Sequence, residues 1–210
     1  MGDMIAQINW LEIIFSVPAL LVALTFHEFC HGLAATALGD DTPRLQGRLT
    51  LNPLRHLDLV GTIMLFLFKF GWAKPVQVNP LKFRGNRKVG MALVAVAGPL
   101  SNLLLALFAA YCTKLINGGL IPYNVYFDTF FFMLMVYNIY FAAFNILPIP
   151  PLDGSKVVAA VLPDNLVDTV YGNTQLYLLL LVLFTTTGYV GKFMEPLVGW
   201  LYYFVDLCVF

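Results

Sequence analysis

Hydrophobic residues in this sequence form long runs that polar stretches separate. Three runs contain no charged residue and span positions 89–113, 129–152 and 169–191. Each is long enough to cross about 30 Å of hydrocarbon as a helix, which takes roughly 20 residues. A fourth run, residues 8–38, is interrupted by polar residues near both ends and stops at Gly39, a typical helix terminator. A shorter fifth candidate covers residues 196–210.

The apolar run at residues 59–68 is too short for a transmembrane helix. Ten residues form a helix of about 15 Å, which is half of a bilayer, so a re-entrant or interfacial segment is favoured. Its flanks, GRLTLNP and FGWAKPVQVNP, are rich in Gly, Pro and alternating residues that favour turns and short strands. The pattern therefore predicts an all-α membrane protein, a polytopic bundle of about five to six transmembrane helices with a short re-entrant or β-hairpin region after the first helix.

Composition supports a membrane location. Hydrophobic residues make up 60% of the 210 positions and charged residues 11%, with a mean hydropathy of +0.79. Soluble domains are nearer half apolar and a quarter charged. We expect one integral-membrane domain over residues 1–210, with a core at 8–160 and carboxyl-terminal helices at 169–210. The 12 basic and 12 acidic residues balance, so no nucleic-acid partner is expected.

The basic residues predict an orientation in the cell membrane. If residues 59–68 do not span, positions 39–88 form one loop that contains nine of the twelve Lys and Arg residues. The positive-inside rule then places this loop in the cytosol and the amino terminus outside. If residues 59–68 do span, three of these basic residues lie on one side of the membrane and six on the other, and the rule no longer favours one orientation strongly.

The sequence HEFCH, at residues 27–31, contains the most informative chemistry. His27 and His31 are four positions apart, so on a helix both imidazoles project from one face and can ligate one metal ion. Glu28 lies beside that face. This HExxH spacing is typical of zinc hydrolases, in which the histidines bind zinc and the glutamate is the general base. The alternative is a polar helix end near the membrane surface, but an unpartnered Glu28 there would be costly.

A zinc site of this kind needs a third protein ligand. The best candidate is Asp153, the single ionisable residue of NILPIPPLDG, a proline-rich break that closes the run at 129–152. Both this break and HEFCH are expected at the cytosolic ends of their helices. The alternative is an ordinary surface Asp in a turn before Gly154. His56, in a charged loop, is expected to be solvated, and Cys30 to be an inert small residue; both are poorer ligand candidates.

Three segments together resemble the site-2 protease family of intramembrane zinc metallopeptidases. These are HEFCHG, AGPLSN at residues 97–102 and NILPIPPLDG. The stretches GRLTLNP and GWAKPVQVNP resemble its compact bacterial subgroup, which lacks a PDZ domain. The resemblance implies one zinc per chain, held by His27, His31 and Asp153, with Glu28 as catalytic base. It also implies that Asn145 positions the substrate or polarises its carbonyl, although helix–helix hydrogen bonding is an alternative role.

The implied activity is hydrolysis of peptide bonds within or near the membrane-spanning segments of single-span membrane proteins. Such a substrate must unwind first, and the GWAKPVQV stretch would hold it as an added strand. We assign Asn102, Trp72, Pro75 and Val76 to the substrate-binding region; Pro75 favours an edge strand there. The alternatives are a non-proteolytic metal-binding membrane scaffold or a transporter. The sequence does not name the substrate or the oligomeric state.

Overall fold

The computed structural model describes residues 10–59, 61, 73–187 and 189–209, and this part of the chain is helical without a β-strand. The α-helices, in chain order, are α1 Trp10–Ala37, α2 Thr42–Leu45, α3 Arg87–Asn117, α4 Val125–Ile146, α5 Asp153–Val161, α6 Asp164–Tyr171, α7 Thr174–Thr186 and α8 Tyr189–Val209. Single 3-10 turns lie at Pro53–Arg55 and Pro80–Lys82. The predicted all-α class is therefore confirmed.

Three of the described helices are long and apolar enough to cross a membrane: Ile14–Ala37 within α1, then α3 and α4. A fourth span is possible only if α7 and α8 are counted together, and these two helices meet at an angle of 86°. The predicted run at 169–191 is divided among α6, α7 and the start of α8. The 13 residues of α7 extend about 20 Å, so this helix is too short to cross alone. Five to six spans are not confirmed.

The predicted hairpin is not confirmed either. Between α2 and α3, the described residues contain one isolated antiparallel bridge, from Leu57 to Ala73. Apart from Leu59 and Gly61, the predicted re-entrant segment 59–68 lies outside the described residues.

The three long helices pack on one another through small side chains. Ala19 of α1 and Ala109 of α3 are fully buried beside Leu134 of α4. Further along, Ala106 and Ala142 belong to a second cluster that α8 covers. Small residues allow helix backbones to approach closely, which gives van der Waals contact where lipid provides little hydrophobic drive. This three-helix core fixes the relative positions of the polar side chains on α1 and α3.

The end of α4 and the start of α5 lie in close contact. Pro148 restricts Leu147 to an extended conformation, so α4 ends at Ile146. The chain turns and enters α5 at Asp153, with Gly154 packed directly on the last turn of α4. A Cβ atom on Gly154 would lie 2.0 Å from the carbonyl oxygen of Ile146. Glycine is therefore required where α5 begins, and the close contact holds Asp153 at the end of α4.

Residues 73–79 contain no helix or turn, and Asn79 at their end has extended dihedral angles; this extended segment returns the chain to the carboxyl end of α1. Asp40, which is fully buried, accepts hydrogen bonds from the backbone N–H groups of Thr42 (3.0 Å) and Asn79 (2.6 Å). Burial would raise the pKa of Asp40, but the hydrogen bonds from Thr42 and Asn79 outweigh this effect and hold that pKa below its ordinary value. A charged Asp40 thus ties the extended segment to the end of α1.

We expect Gly154→Ala to destabilise the protein strongly. The added Cβ overlaps backbone oxygens rather than a flexible side chain, so the cost should reach at least about 2 kcal/mol. Thermal unfolding of the purified protein in detergent measures this as a lower midpoint. The matched control is Gly199→Ala in α8, where no atom lies within 4 Å of the added carbon. Equal midpoints for the two variants would contradict the close packing of α5 on α4.

Candidate metal centre

The two histidines of α1 lie side by side inside the bundle. His27 and His31 are 3% and 7% exposed, and their ring planes are perpendicular at a centroid distance of 4.5 Å. The two Nε2 atoms are 3.0 Å apart. The helical spacing therefore has the consequence predicted for it, which is that both imidazoles present one nitrogen to the same point.

Asp153 supplies a third atom at this point. Its Oδ2 lies 3.1 Å from Nε2 of His27 and 2.9 Å from Nε2 of His31. The carboxylate is 5% exposed and sits at the first position of α5. Among the described residues, these three side chains form the one group of His, Cys, Asp or Glu able to share a metal ion. Residues separated by more than 120 positions are brought together by the break after α4.

Each imidazole forms a hydrogen bond through Nδ1, the ring nitrogen that faces away from Asp153, and this bond determines whether Nε2 is free to bind a metal ion. His31 Nδ1 lies 2.7 Å from the carbonyl oxygen of Val94, which can only accept, so Nδ1 is the protonated nitrogen. His27 Nδ1 lies 2.7 Å from Oδ1 of Asn102. The amide nitrogen of Asn102 donates to Asn138 Oδ1 and to the Ala23 carbonyl, so its oxygen must face His27. In the neutral rings both Nε2 atoms are therefore unprotonated.

This arrangement fits a zinc ion. Two nitrogen lone pairs and a carboxylate oxygen face one another within 3.1 Å, and without a proton between them they repel. A cation at their centre removes the repulsion. In a tetrahedral site with bonds of about 2.0–2.1 Å, neighbouring ligand atoms lie about 3.3 Å apart, close to the separations here. Two histidines and one carboxylate are also a ligand set of catalytic zinc, which leaves a fourth position open.

Gly98 makes room for the two imidazoles. It lies in α3 within the sequence AGPLSN, and a Cβ atom there would lie 2.4 Å from His31 Nε2 and 2.6 Å from His27 Cε1. Pro99 follows within the same helix and has no N–H to donate to the carbonyl of Ala95, the neighbour of Val94. The segment carried the family resemblance, but spacing rules alone gave no reason for a glycine here.

Glu28 is buried next to the cluster and is held from the opposite side by the extended segment. Its Oε2 accepts a hydrogen bond of 2.9 Å from the backbone N–H of Val76. The carboxylate is 8% exposed. Because Asp40 ties residues 73–79 to the end of α1, the position of the Val76 N–H follows from the fold and orients the Glu28 carboxylate.

Lys156 was not anticipated from the sequence. One turn into α5, its Nζ donates to Oδ1 of Asp153 at 2.8 Å, so the two oxygens of this carboxylate face different partners. Asp153 and Lys156 are three positions apart in the sequence, a spacing at which side chains on a helix can form an ion pair. It could not be recognised before the start of α5 was known.

The remaining predicted residues lie in different settings. Asn102 is fully buried against His27, so its described contacts are internal. Asn145 is partly buried and donates to the carbonyl of Phe141 within its own helix. Pro75 is exposed beside Val76, whereas Trp72 lies outside the described residues. The expectation that His56 is solvated was wrong: its side chain is fully buried, and its Nε2 lies 2.8 Å from the Thr50 carbonyl.

Known proteins resemble this chain over most of its length. The sequence profile of Peptidase family M50 matches residues 120–186, which include the proline break and Asp153. The Bacillus subtilis protein named "Putative zinc metalloprotease YwhC" is 38% identical over 177 residues, 82% of this chain and 80% of the relative. "Putative zinc metalloprotease Rip2" of Mycolicibacterium smegmatis is 26% identical over 207 residues, which cover 97% of this chain and 79% of the relative.

The Rip2 protein of Mycobacterium tuberculosis is 33% identical over 152 residues, 66% of this chain and 53% of the relative. No solved structure matches. Identity of 38% across about four fifths of both chains, together with the family profile, confirms the resemblance to the site-2 proteases. The chain belongs to peptidase family M50.

Proposed function

We propose that this multi-pass membrane protein is a zinc metallopeptidase whose zinc is held by His27, His31 and Asp153 and whose general base is Glu28. The observation that supports this site is the convergence of three ligand atoms within 3.1 Å of one another, two from the long apolar helix α1 and one from the start of α5. A non-proteolytic scaffold would have no use for Glu28, and neither that alternative nor a transporter is favoured by the relatives.

The proton transfers are assigned to Glu28. When bound, zinc supplies a Lewis acid that polarises a carbonyl and lowers the pKa of water toward about 7. Glu28 accepts a proton as water attacks the scissile carbonyl carbon, and returns it to the amine nitrogen as the C–N bond breaks. The Val76 N–H contacts Oε2 and keeps the carboxylate in one orientation during both transfers.

Three residues are proposed to position the metal ligands. Asn102 fixes the tautomer and ring orientation of His27, which makes it a positioning residue rather than the substrate-binding residue expected from the sequence. The Val94 carbonyl does the same for His31. Lys156 binds the outer oxygen of Asp153 and thereby directs its other oxygen toward the histidines.

The substrate is proposed to be a single-span membrane protein that binds in an extended conformation. A helical segment must unwind before its carbonyl carbons are accessible, because the helix shields them and its hydrogen bonds occupy the carbonyl oxygens. Residues 73–79 offer an extended partner directly beside Glu28, and Pro75 and Val76 lie at its centre. Main-chain pairing with such a segment replaces helical hydrogen bonds without demanding one sequence.

Asn145 is proposed to donate a hydrogen bond to the oxyanion that forms during cleavage. Its amide has a second N–H beyond the one bonded to the carbonyl of Phe141.

The site is proposed to lie toward the cytosol. Nine of the twelve Lys and Arg residues occupy positions 39–88, between α1 and α3, and the amino terminus is then outside. His31 precedes the end of α1 at Ala37 by six residues, or about 9 Å along the helix. Cleavage in the cytosolic half of a substrate span would leave too few apolar residues to anchor the cytosolic product.

We expect Asn102→Ala to weaken zinc binding by about 10- to 100-fold, because His27 loses the acceptor that orients it. Competition with a chromophoric chelator measures the affinity. Asn102→Asp keeps an oxygen facing His27 but also loses the amide donor, so it should retain more affinity than the Ala variant. Asn117→Ala, an exposed position on the same helix, should bind zinc normally. Equal losses in the Ala and Asp variants would contradict the positioning role.

We expect Glu28→Gln to lower turnover by at least about 100-fold while zinc stays at one per chain. The amide oxygen of Gln can still accept from Val76, so the local structure is preserved. Cleavage of a panel of tagged single-span polypeptides and metal analysis of the same preparation provide both readouts. Glu195→Gln, an exposed change of the same kind in α8, is the control. Near-normal cleavage by Glu28→Gln would exclude its general-base role, and loss of zinc would indicate a ligand instead.

We expect the connection between α1 and α3 to be inaccessible from outside the cell. Single cysteines replace Arg44 and Arg84, on either side of the undescribed segment, and a third replaces Leu120 in the connection from α3 to α4. The native cysteines Cys30, Cys112 and Cys208 are changed to Ser in all three, so that the introduced thiol is the one available for labelling. An impermeant thiol reagent should label Leu120→Cys in whole cells and the other two only after lysis. Labelling of both Arg positions from outside would reverse the orientation, and labelling of one would mean that residues 59–68 span.

A further inference from the structure

A cavity lined by basic side chains lies beside the extended segment, and the metal centre makes no use of it. Its volume is about 530 Å³. Three cations line it, Arg48, Arg55 and Lys74, together with the amides of Gln46 and Gln77 and three apolar residues. None of the described residues that line it is acidic. We refer to this cavity, defined by Arg48, Arg55, Lys74, Gln46 and Gln77, as the cationic pocket.

Arg48 is the most informative member of the cationic pocket. It is 8% exposed, and its Nη1 donates to the backbone carbonyl of Arg55. Buried arginine is rare unless it is paired with an anion. Within the described part of the chain, Lys82, Lys88 and Lys156 each contact an aspartate, whereas no carboxylate contacts Arg48, Arg55 or Lys74. The guanidinium carries five donors in a plane that matches a carboxylate, so the cationic pocket is suited to bind one.

The position of the cationic pocket links it to peptide cleavage. Pro75 and Gln77, which line it, flank Val76, whose N–H contacts Glu28 at 2.9 Å. An extended chain advances about 3.3 Å per residue, so Lys74 lies on the order of 7 Å along the segment from the residue that contacts Glu28. An extended peptide with its scissile bond at Glu28 would place a side chain two to four residues away in the cationic pocket.

From this geometry we infer that the cationic pocket is a specificity subsite for an acidic side chain, Asp or Glu, of the polypeptide that is cleaved. The inference rests on the proposed peptidase function and narrows its substrate class. The acidic residue lies within about four positions of the cut bond, on the side that leaves the membrane toward the loop at 39–88. A lipid phosphate has the same charge, but it has no main chain to pair with residues 73–79 beside Glu28, so the peptide is favoured.

The first experiment measures binding without turnover. Tagged single-span peptides carry Glu, Gln or Lys at one of six consecutive positions flanking the apolar segment. They are added to the Glu28→Gln variant in phosphatidylcholine vesicles. At one or two adjacent positions we expect the Glu peptide to bind about tenfold more tightly than the Gln peptide, and the Lys peptide more weakly, with the difference shrinking at high salt. Equal affinities at all six positions would overturn the inference.

The second experiment reverses the charge of the exposed members. We expect Arg55→Glu combined with Lys74→Glu to prefer the Lys peptide. Arg84→Glu makes the same charge change outside the cationic pocket and should keep the preference for Glu. Arg48→Gln should weaken the preference for the Glu peptide. Because Arg48 is buried and its replacement can also disturb folding, the decisive test is the double variant of the exposed residues Arg55 and Lys74. A preference for Glu that survives in the double variant would place the subsite elsewhere and overturn the inference.

Two further arms separate the remaining outcomes. Vesicles containing phosphatidylglycerol test the lipid: if this lipid abolishes the peptide preference and its binding depends on Arg55 and Lys74, the cationic pocket is a headgroup site and the inference fails. Cleavage of the Glu and Gln peptides by the unmodified protein should show the same tenfold ratio in kcat/KM. If peptides bind with the expected preference but are not cleaved, the proposed function fails while the acidic-residue subsite stands.

Discussion

The structure depends on the mutual repulsion of three acceptor atoms that the fold forces together. Nε2 of His27, Nε2 of His31 and Oδ2 of Asp153 lie within 3.1 Å of one another in a site that is almost closed to solvent. A divalent cation at their centre would replace this repulsion with three favourable bonds. We therefore expect zinc binding at the proposed site to stabilise the fold around it.

Much of the surrounding sequence makes this convergence possible. Hydrogen bonds from the two imidazoles to Asn102 and Val94 leave the correct nitrogen of each ring bare. Glycine at positions 98 and 154 removes the atoms that would overlap the imidazoles and the end of α4. Small residues along α1, α3 and α4 bring the backbones close enough for these contacts. A polar cluster is expensive inside a membrane protein, and here each of its members has a partner on its outer side.

The sequence predicted the cluster of His27, His31 and Asp153 more completely than it predicted the fold. His27, His31 and Glu28 could be proposed as one site because helical spacing places them on or beside one face, and Asp153 because a proline break at membrane depth requires an explanation. Gly98, Lys156 and the buried His56 could not be assigned, since each depends on a contact between segments distant in sequence. The predicted number of spans is not confirmed, for a related reason. Residues 169–191 are apolar enough to cross, but Asn173 caps a new helix within them, and a hydropathy average does not detect that break.

X-ray absorption at the zinc edge of the purified, full-length protein tests the central claim most directly. It reports the type and number of atoms bound to the metal, whichever residues supply them. We expect two imidazole rings and additional oxygen at about 2.0–2.1 Å, with no sulfur. One imidazole signal should be lost in a His27→Ala variant, and His56→Ala should leave the spectrum unchanged. A sulfur ligand near 2.3 Å, or a spectrum that changes with His56, would contradict the site formed by His27, His31 and Asp153.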